Sequence, residues 1–184
     1  MKNVTRWIRI AVVGLLLSHP STAGAALAGT LWETVAHRHG LAPHLLYAVA
    51  LAESGRVRSG RTVAPWPWSL NTPGGSRYFE SEAEARTALQ TLLARHGPQA
   101  LDVGLLQVNL HWHGHRVAEP AALLDARINL TVAAEILAQA IRSAPGDLEL
   151  GIGRYHHWRD EGLARGYGRR VLALVRALAE IQAS

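Results

Sequence analysis

Apolar side chains recur every three or four positions through most of the chain, and the breaks between these stretches carry helix caps and turn residues. Thr30-Leu-Trp-Glu33 has the spacing of a capping box, in which Thr30 accepts from a backbone N–H and Glu33 reaches back. This predicts a helix to about His39, ended by Gly40. Pro43 suits a first helical turn, and the next helix runs to about Glu53 before Ser54-Gly55. Ser81-Glu-Ala-Glu84 repeats the box and opens a helix that closes at His96-Gly97-Pro98. Residues 104–110 read as a short buried helix. Helical spacing resumes from Ile128 to Arg142, Asp147 caps a helix to about Trp158, and a last amphipathic helix covers about Arg169 to Gln182.

Residues 56–79 break the helical pattern. Pro65, Pro67 and Pro73 punctuate the segment, and Gly74-Gly75 separates Trp68-Ser-Leu70 from Arg77-Tyr-Phe79, the layout of a short hairpin or lobe. The expected fold class is therefore mainly α, one helical domain with a small extended or β-hairpin insertion.

Composition narrows the chemistry. The 184 residues include no cysteine, which rules out disulfides, cysteine-ligated zinc, iron–sulfur clusters, a thiol nucleophile and a lipidated cysteine anchor. The formal charge is +5, yet Lys2, Arg6 and Arg9 precede the apolar run Ile10–Leu17, followed by Ser18-His-Pro20 and Ala23-Gly24-Ala25. That is the layout of a secretory signal peptide, and the run is shorter than the roughly 20 residues of a membrane span. The expected division is a signal peptide over 1–25, with cleavage after 28 as the alternative, and a single domain over 26–184. Removing three basic residues leaves 16 Lys+Arg against 14 Asp+Glu, a net of +2. Most of the basicity thus belongs to targeting, and the expected location is the periplasm.

Leu46, Val49, Ala50 and Glu53 fall at i, i+3, i+4 and i+7, so a carboxylate shares the face that faces the core. Burial disfavours its ionised form, and so does the negative end of the helix dipole. A carboxylic acid that stays protonated near neutral pH is what a glycosidic leaving oxygen requires. The competing reading is a frayed helix end with Glu53 in water or paired to Arg56, Arg58 or Arg61.

Ala52-Glu53-Ser54-Gly55, then Gly104-Leu-Leu-Gln107-Val-Asn109, then Gly153-Arg-Tyr155-His156 resemble, in order, the motif set of the lysozyme-like lytic transglycosylases, the goose-type or SLT class. In the third motif His156 stands where that family usually has an asparagine. The segment Pro65 through Phe79 is similar to the insert of specialised members that serve conjugation and secretion machineries.

The resemblance implies a lysozyme-like fold, no cofactor and a single-carboxylate mechanism. In it Glu53 protonates the β-1,4 bond between N-acetylmuramic acid and N-acetylglucosamine. The same residue then takes the proton of the muramic C6 hydroxyl, which closes on C1 as a 1,6-anhydro end. An ordinary retaining glycosidase instead carries a second carboxylate about 5 Å from the acid, and an inverting one roughly 6.5–9.5 Å away. No Asp or Glu lies between Ser54 and Phe79, so Glu80 and Asp102 are the nearest remaining candidates, with solvent exposure and helix capping as their competing roles. Gln107 corresponds to the family's glutamine, expected to bond an N-acetyl group or the catalytic carboxyl, with satisfaction of a buried backbone group as the other reading. Tyr155 corresponds to a tyrosine expected against the glutamate, or else a core aromatic. Asn71 is placed in the groove by its position in the lobe, and Ser54 is expected to bond locally at the helix end. Asn109 is read as structural.

Other chemistry is weighed against this. His111, His113 and His115 alternate and His156-His157 follow, but no His-Glu-x-x-His element is present, and the cluster is read as groove-side polar residues facing anionic glycan and peptide. One of Trp66, Trp68, Trp112 and Trp158 is expected to stack on sugar. The expected partners are peptidoglycan strands and components of a conjugation or type IV secretion-like apparatus. No nucleic acid is expected, because a net of +2 forms no concentrated basic stripe. No membrane span is expected after signal cleavage. The alternatives are a muramidase using the same acid and a non-catalytic peptidoglycan-binding module.

Overall fold

A computed structural model describes residues 27–58 and 62–183. The expected signal peptide and Arg61 lie outside the described residues. The chain is mainly helical, with seven α-helices and a small antiparallel insertion among the described residues. Helix α1 (Leu31–Arg38) begins at its expected cap, with Thr30 Oγ1 accepting from Glu33 N, while Glu33 Oε2 accepts from Gly29 N, one residue ahead of the Thr30 N–H that the capping box predicts. Helix α2 (Pro43–Ser54) starts on its proline. It is followed by β1 (Gly55–Val57) and β2 (Val63–Pro65), an antiparallel pair, and by the hairpin β3 (Ser69–Thr72) and β4 (Gly75–Tyr78).

Helix α3 (Glu82–His96) is capped by Ser81. Then β5 (Asp102–Val103) pairs with both β3 and β6 (Val108–Asn109), giving a four-stranded sheet in the order β4-β3-β5-β6. Helix α4 (Leu110–His113) and short 3₁₀ turns at 114–116 and 120–124 lead into α5 (Ala126–Arg142), α6 (Leu148–Gly153) and α7 (Glu161–Ala183). No helix among the described residues is long and apolar enough to cross a membrane.

The core lies between the buried faces of α2, α5 and α7, with Leu46, Val49, Leu130, Leu137 and Val171 almost fully enclosed. Each such side chain stabilises the fold by roughly 1.5–3 kcal/mol. Helices α6 and α7 touch backbone to backbone. A Cβ at Gly153 would strike the Ala164 carbonyl, and one at Gly168 the Glu149 carbonyl. Those two glycines set how closely α7 approaches the rest of the body.

Three element boundaries differ from the sequence reading. Residues 104–107 form a turn between β5 and β6, not a helix. Gly104 has φ +82° and Gln107 φ +48°, left-handed values that an α-helix excludes. The helix expected from Asp147 stops at Gly153, where the packing against Ala164 lies. The last helix begins at Glu161, eight residues before the expected Arg169.

Candidate active site

Glu53 lies in the last turn of α2, its side chain only 10% exposed. Burial pushes its carboxyl up to about 7, assisted by the charge of Asp102 and opposed by a hydrogen bond from Tyr167 and by the charge of Arg170. The frayed-end reading is thereby set aside. Arg56 pairs with the exposed Glu80 at 2.8 Å instead.

The tyrosine on the carboxyl is Tyr167, which donates its hydroxyl to Glu53 Oε1 at 2.6 Å from the buried face of α7. Tyr155 has no described hydrogen bond to Glu53. Its hydroxyl donates to the Leu106 carbonyl at 2.7 Å, fixing the 104–107 turn, while the charge of Glu53 contributes to raising its pKa, after burial. The expected contact thus comes from a residue twelve positions further on, because α7 rather than the end of α6 passes over the end of α2. The signal was present in the sequence: Ala164, Tyr167 and Val171 fall at i, i+3 and i+7, and all three are buried. A helix that starts at Arg169 leaves Tyr167 outside this pattern.

His156 completes the cluster. Its Nδ1 is 3.6 Å from Glu53 Oε1, and its ring lies on that of Tyr167, with centroids 4.7 Å apart and planes 17° apart. Burial, then the charges of His157 and Arg170, lower its pKa to about 4, so it is neutral at physiological pH.

The other residues singled out from the sequence are brought close to this cluster but are bound to one another or to backbone. Ser54 Oγ contacts the Leu105 carbonyl at 2.6 Å and accepts from Trp66 N at 3.1 Å. Ser54 therefore ties the end of α2 to both the turn and the lobe, a wider role than the local bond expected. Gln107 Nε2 donates to Gly104 O at 2.8 Å and to Ser69 Oγ at 2.9 Å, so its amide holds the turn against β3. Of its two expected roles, the nitrogen takes the backbone one. Asn71 Nδ2 and Asn109 Nδ2 donate to the two oxygens of Asp102, at 2.9 and 2.7 Å. Asn109 also caps α4, a structural role.

Sequence patterning does not single out Asn129. Asn129, fully buried on α5, accepts from Leu106 N and donates to the carbonyls of Val103 and Leu123. An asparagine among Ile128, Leu130 and Val132 is a polar group within an apolar run, and that was the available signal.

Among the tryptophans, Trp112 and Trp158 are exposed, at 64% and 60%. Trp66 donates its indole N–H to Phe79 O and carries the Arg56 guanidinium over its ring at 4.5 Å, while Trp68 packs on the core. His113 is half-buried, and desolvation lowers its pKa to about 4. Among the described residues no group of three or more histidines and carboxylates is arranged to hold a metal.

Chemically, the site offers one enclosed acid poised to exchange a proton near neutrality, one hydroxyl fixed on one of its oxygens, and a neutral imidazole beside it. No protein-family model, curated protein or solved structure matches the chain.

Proposed function

We propose that the protein is a lysozyme-like peptidoglycan lytic transglycosylase, exported to the periplasm and serving local wall opening by a conjugation or secretion apparatus. The observation that carries the catalytic reading is Glu53: a buried carboxyl with its pKa pushed up to about 7 and one oxygen held by Tyr167.

In this reading Tyr167 occupies Oε1, so Oε2 carries the transferable proton. Glu53 gives that proton to the glycosidic oxygen, the bond from muramoyl C1 to that oxygen breaks, and the sugar leaves as an alcohol. The substrate's acetamide oxygen stabilises the positive charge at C1. The Glu53 carboxylate next takes the proton of the C6 hydroxyl while O6 bonds to C1. The acid is regenerated, and no water is consumed. In the anionic stage the Tyr167 hydroxyl is a charge-assisted donor, stronger than in the neutral stage.

The state of Asp102 supports a single-carboxylate scheme. Both its oxygens are engaged by asparagine amides, which weakens it as a nucleophile, while its charge raises the proton affinity of Glu53. Glu80 is tied to Arg56 on the surface.

Mass spectrometry of muropeptides released from purified peptidoglycan tests the proposal. The mature protein is expected to give products lighter by one water than the hydrolytic ones, and Glu53→Gln to give none. Reducing-end products would convert the reading to a muramidase. No release by the wild type, with wall binding retained, would overturn the enzyme reading in favour of a binding module.

A further inference from the structure

His156 lies beside the acid without making a hydrogen bond to it. At 3.6 Å, Nδ1 is beyond hydrogen-bonding range of Glu53 Oε1, so the contact is one of shape. The ring is nearly parallel to Tyr167 and in stacking contact with it, on the residue whose hydroxyl is fixed to that same oxygen. The imidazole is thus packed beside the acid while its own side chain stays 43% exposed, whereas that of Glu53 is 10% exposed.

The groups around the pair come from three directions. Asp102 acts on Glu53 from β5. Tyr155 and His157 lie on the segment that follows α6, and Tyr167 and Arg170 on α7. Burial opposes a charge on His156, and His157 and then Arg170 oppose it further.

We propose that His156 is a positioning residue that acts by shape and without charge: its ring shields the Glu53 carboxyl from water and braces Tyr167 on Oε1. The proposal rests on reading Glu53 as the acid. It differs from a role for His156 in proton transfer, which would require the ring nitrogen.

Three variants separate the two roles. His156→Phe keeps the flat ring and removes the nitrogens, His156→Ala removes both, and His156→Asn restores an amide of small size. Two quantities are followed for each: the titration midpoint of the Glu53 carboxyl by its carbon chemical shift in the unliganded protein, assigned against Glu53→Gln, and the pH profile of glycan cleavage.

The expected result is that His156→Phe keeps both the Glu53 midpoint and the alkaline limb. His156→Ala and His156→Asn should lower both by about one pH unit, a tenfold change in proton affinity, as water reaches the carboxyl. The proposal is overturned if His156→Phe shifts the midpoint as far as His156→Ala, or if neither His156→Ala nor His156→Asn shifts it. The titration needs no turnover. An inactive wild type with the expected midpoint shifts would therefore count against the transglycosylase reading alone, whereas an active wild type with unmoved midpoints would count against the role of His156 alone.

Discussion

The two sides of the candidate site use polar residues in opposite ways. On the side of the 104–107 turn, Ser54, Ser69, Gln107, Asn71, Asn109 and Asp102 are linked to one another and to backbone. On the helical side, Glu53, Tyr167 and His156 form a small cluster whose carboxyl has a single described hydrogen-bond donor. The first arrangement satisfies its groups and fixes backbone; the second leaves a buried acid with proton affinity to spare. The comparison teaches that a polar motif residue near a site can belong to the scaffold. A reactive group is recognised by incomplete compensation of its burial.

The strongest way to break the scaffold side is Asn129→Ala. The amide makes three buried hydrogen bonds, to Val103 O at 2.8 Å, to Leu123 O at 2.9 Å and from Leu106 N at 2.9 Å. Its removal takes away three buried hydrogen bonds to backbone groups, at a cost of about 3–5 kcal/mol. Urea denaturation should show that loss as a lowered midpoint. A loss below about 1 kcal/mol would mean that Gln107 and Tyr155 hold the turn without it.

The acid side carries its own signature in the pH dependence of stability. The carboxyl of Glu53 is raised in the folded state from its ordinary 4.5 to about 7, so folding favours the protonated form. The stability this represents is fully present below about pH 4.5 and is lost as pH rises through about 7; the total is of order 3 kcal/mol. Asp147, whose pKa is lowered by its hydrogen bond from Arg165, gives the opposite trend, but it is common to wild type and variant and cancels in their difference. From pH 4.5 to pH 8 the wild type should therefore lose stability relative to Glu53→Gln, in which the amide does not titrate. A constant difference between the two across that range would show that Glu53 is as hydrated in the folded chain as in the unfolded one.

How far each side was legible follows from the range of the interactions. The capping boxes at Thr30 and Ser81 act within four residues, and both helices begin where those boxes place them. The hairpin around Gly74-Gly75 is equally local. The burial of Glu53 was legible because helical periodicity projects it onto the core face. The turn at 104–107 has the sequence pattern of a helix because Leu105, Leu106, Val108 and Leu110 are dense enough to suit a buried one, while the bonds that impose the turn come from Asn129 and Ser69, more than twenty residues away in sequence. The Tyr167–Glu53 bond spans 114 positions, and Gly166 and Gly168 weaken the local helix signal around the tyrosine. No local pattern identifies which of two tyrosines reaches the acid.

The two tyrosines therefore supply the finest discrimination between scaffold and acid, since both are packed against core and each gives its hydroxyl to one oxygen. Tyr155→Phe leaves the Leu106 carbonyl without its donor and should cost about 1 kcal/mol in denaturation, with the pH profile of cleavage unmoved. Tyr167→Phe removes a bond that lowers the pKa of Glu53, so the carboxyl should titrate above 7 and the alkaline limb move upward. On the proposed reaction, cleavage should fall about ten- to a hundredfold, because that scheme passes through a Glu53 carboxylate from which the donor is lost. If Tyr155→Phe moved the limb and Tyr167→Phe did not, the roles assigned to the two residues would be reversed. The boundary between scaffold and acid would then run on the other side of α7.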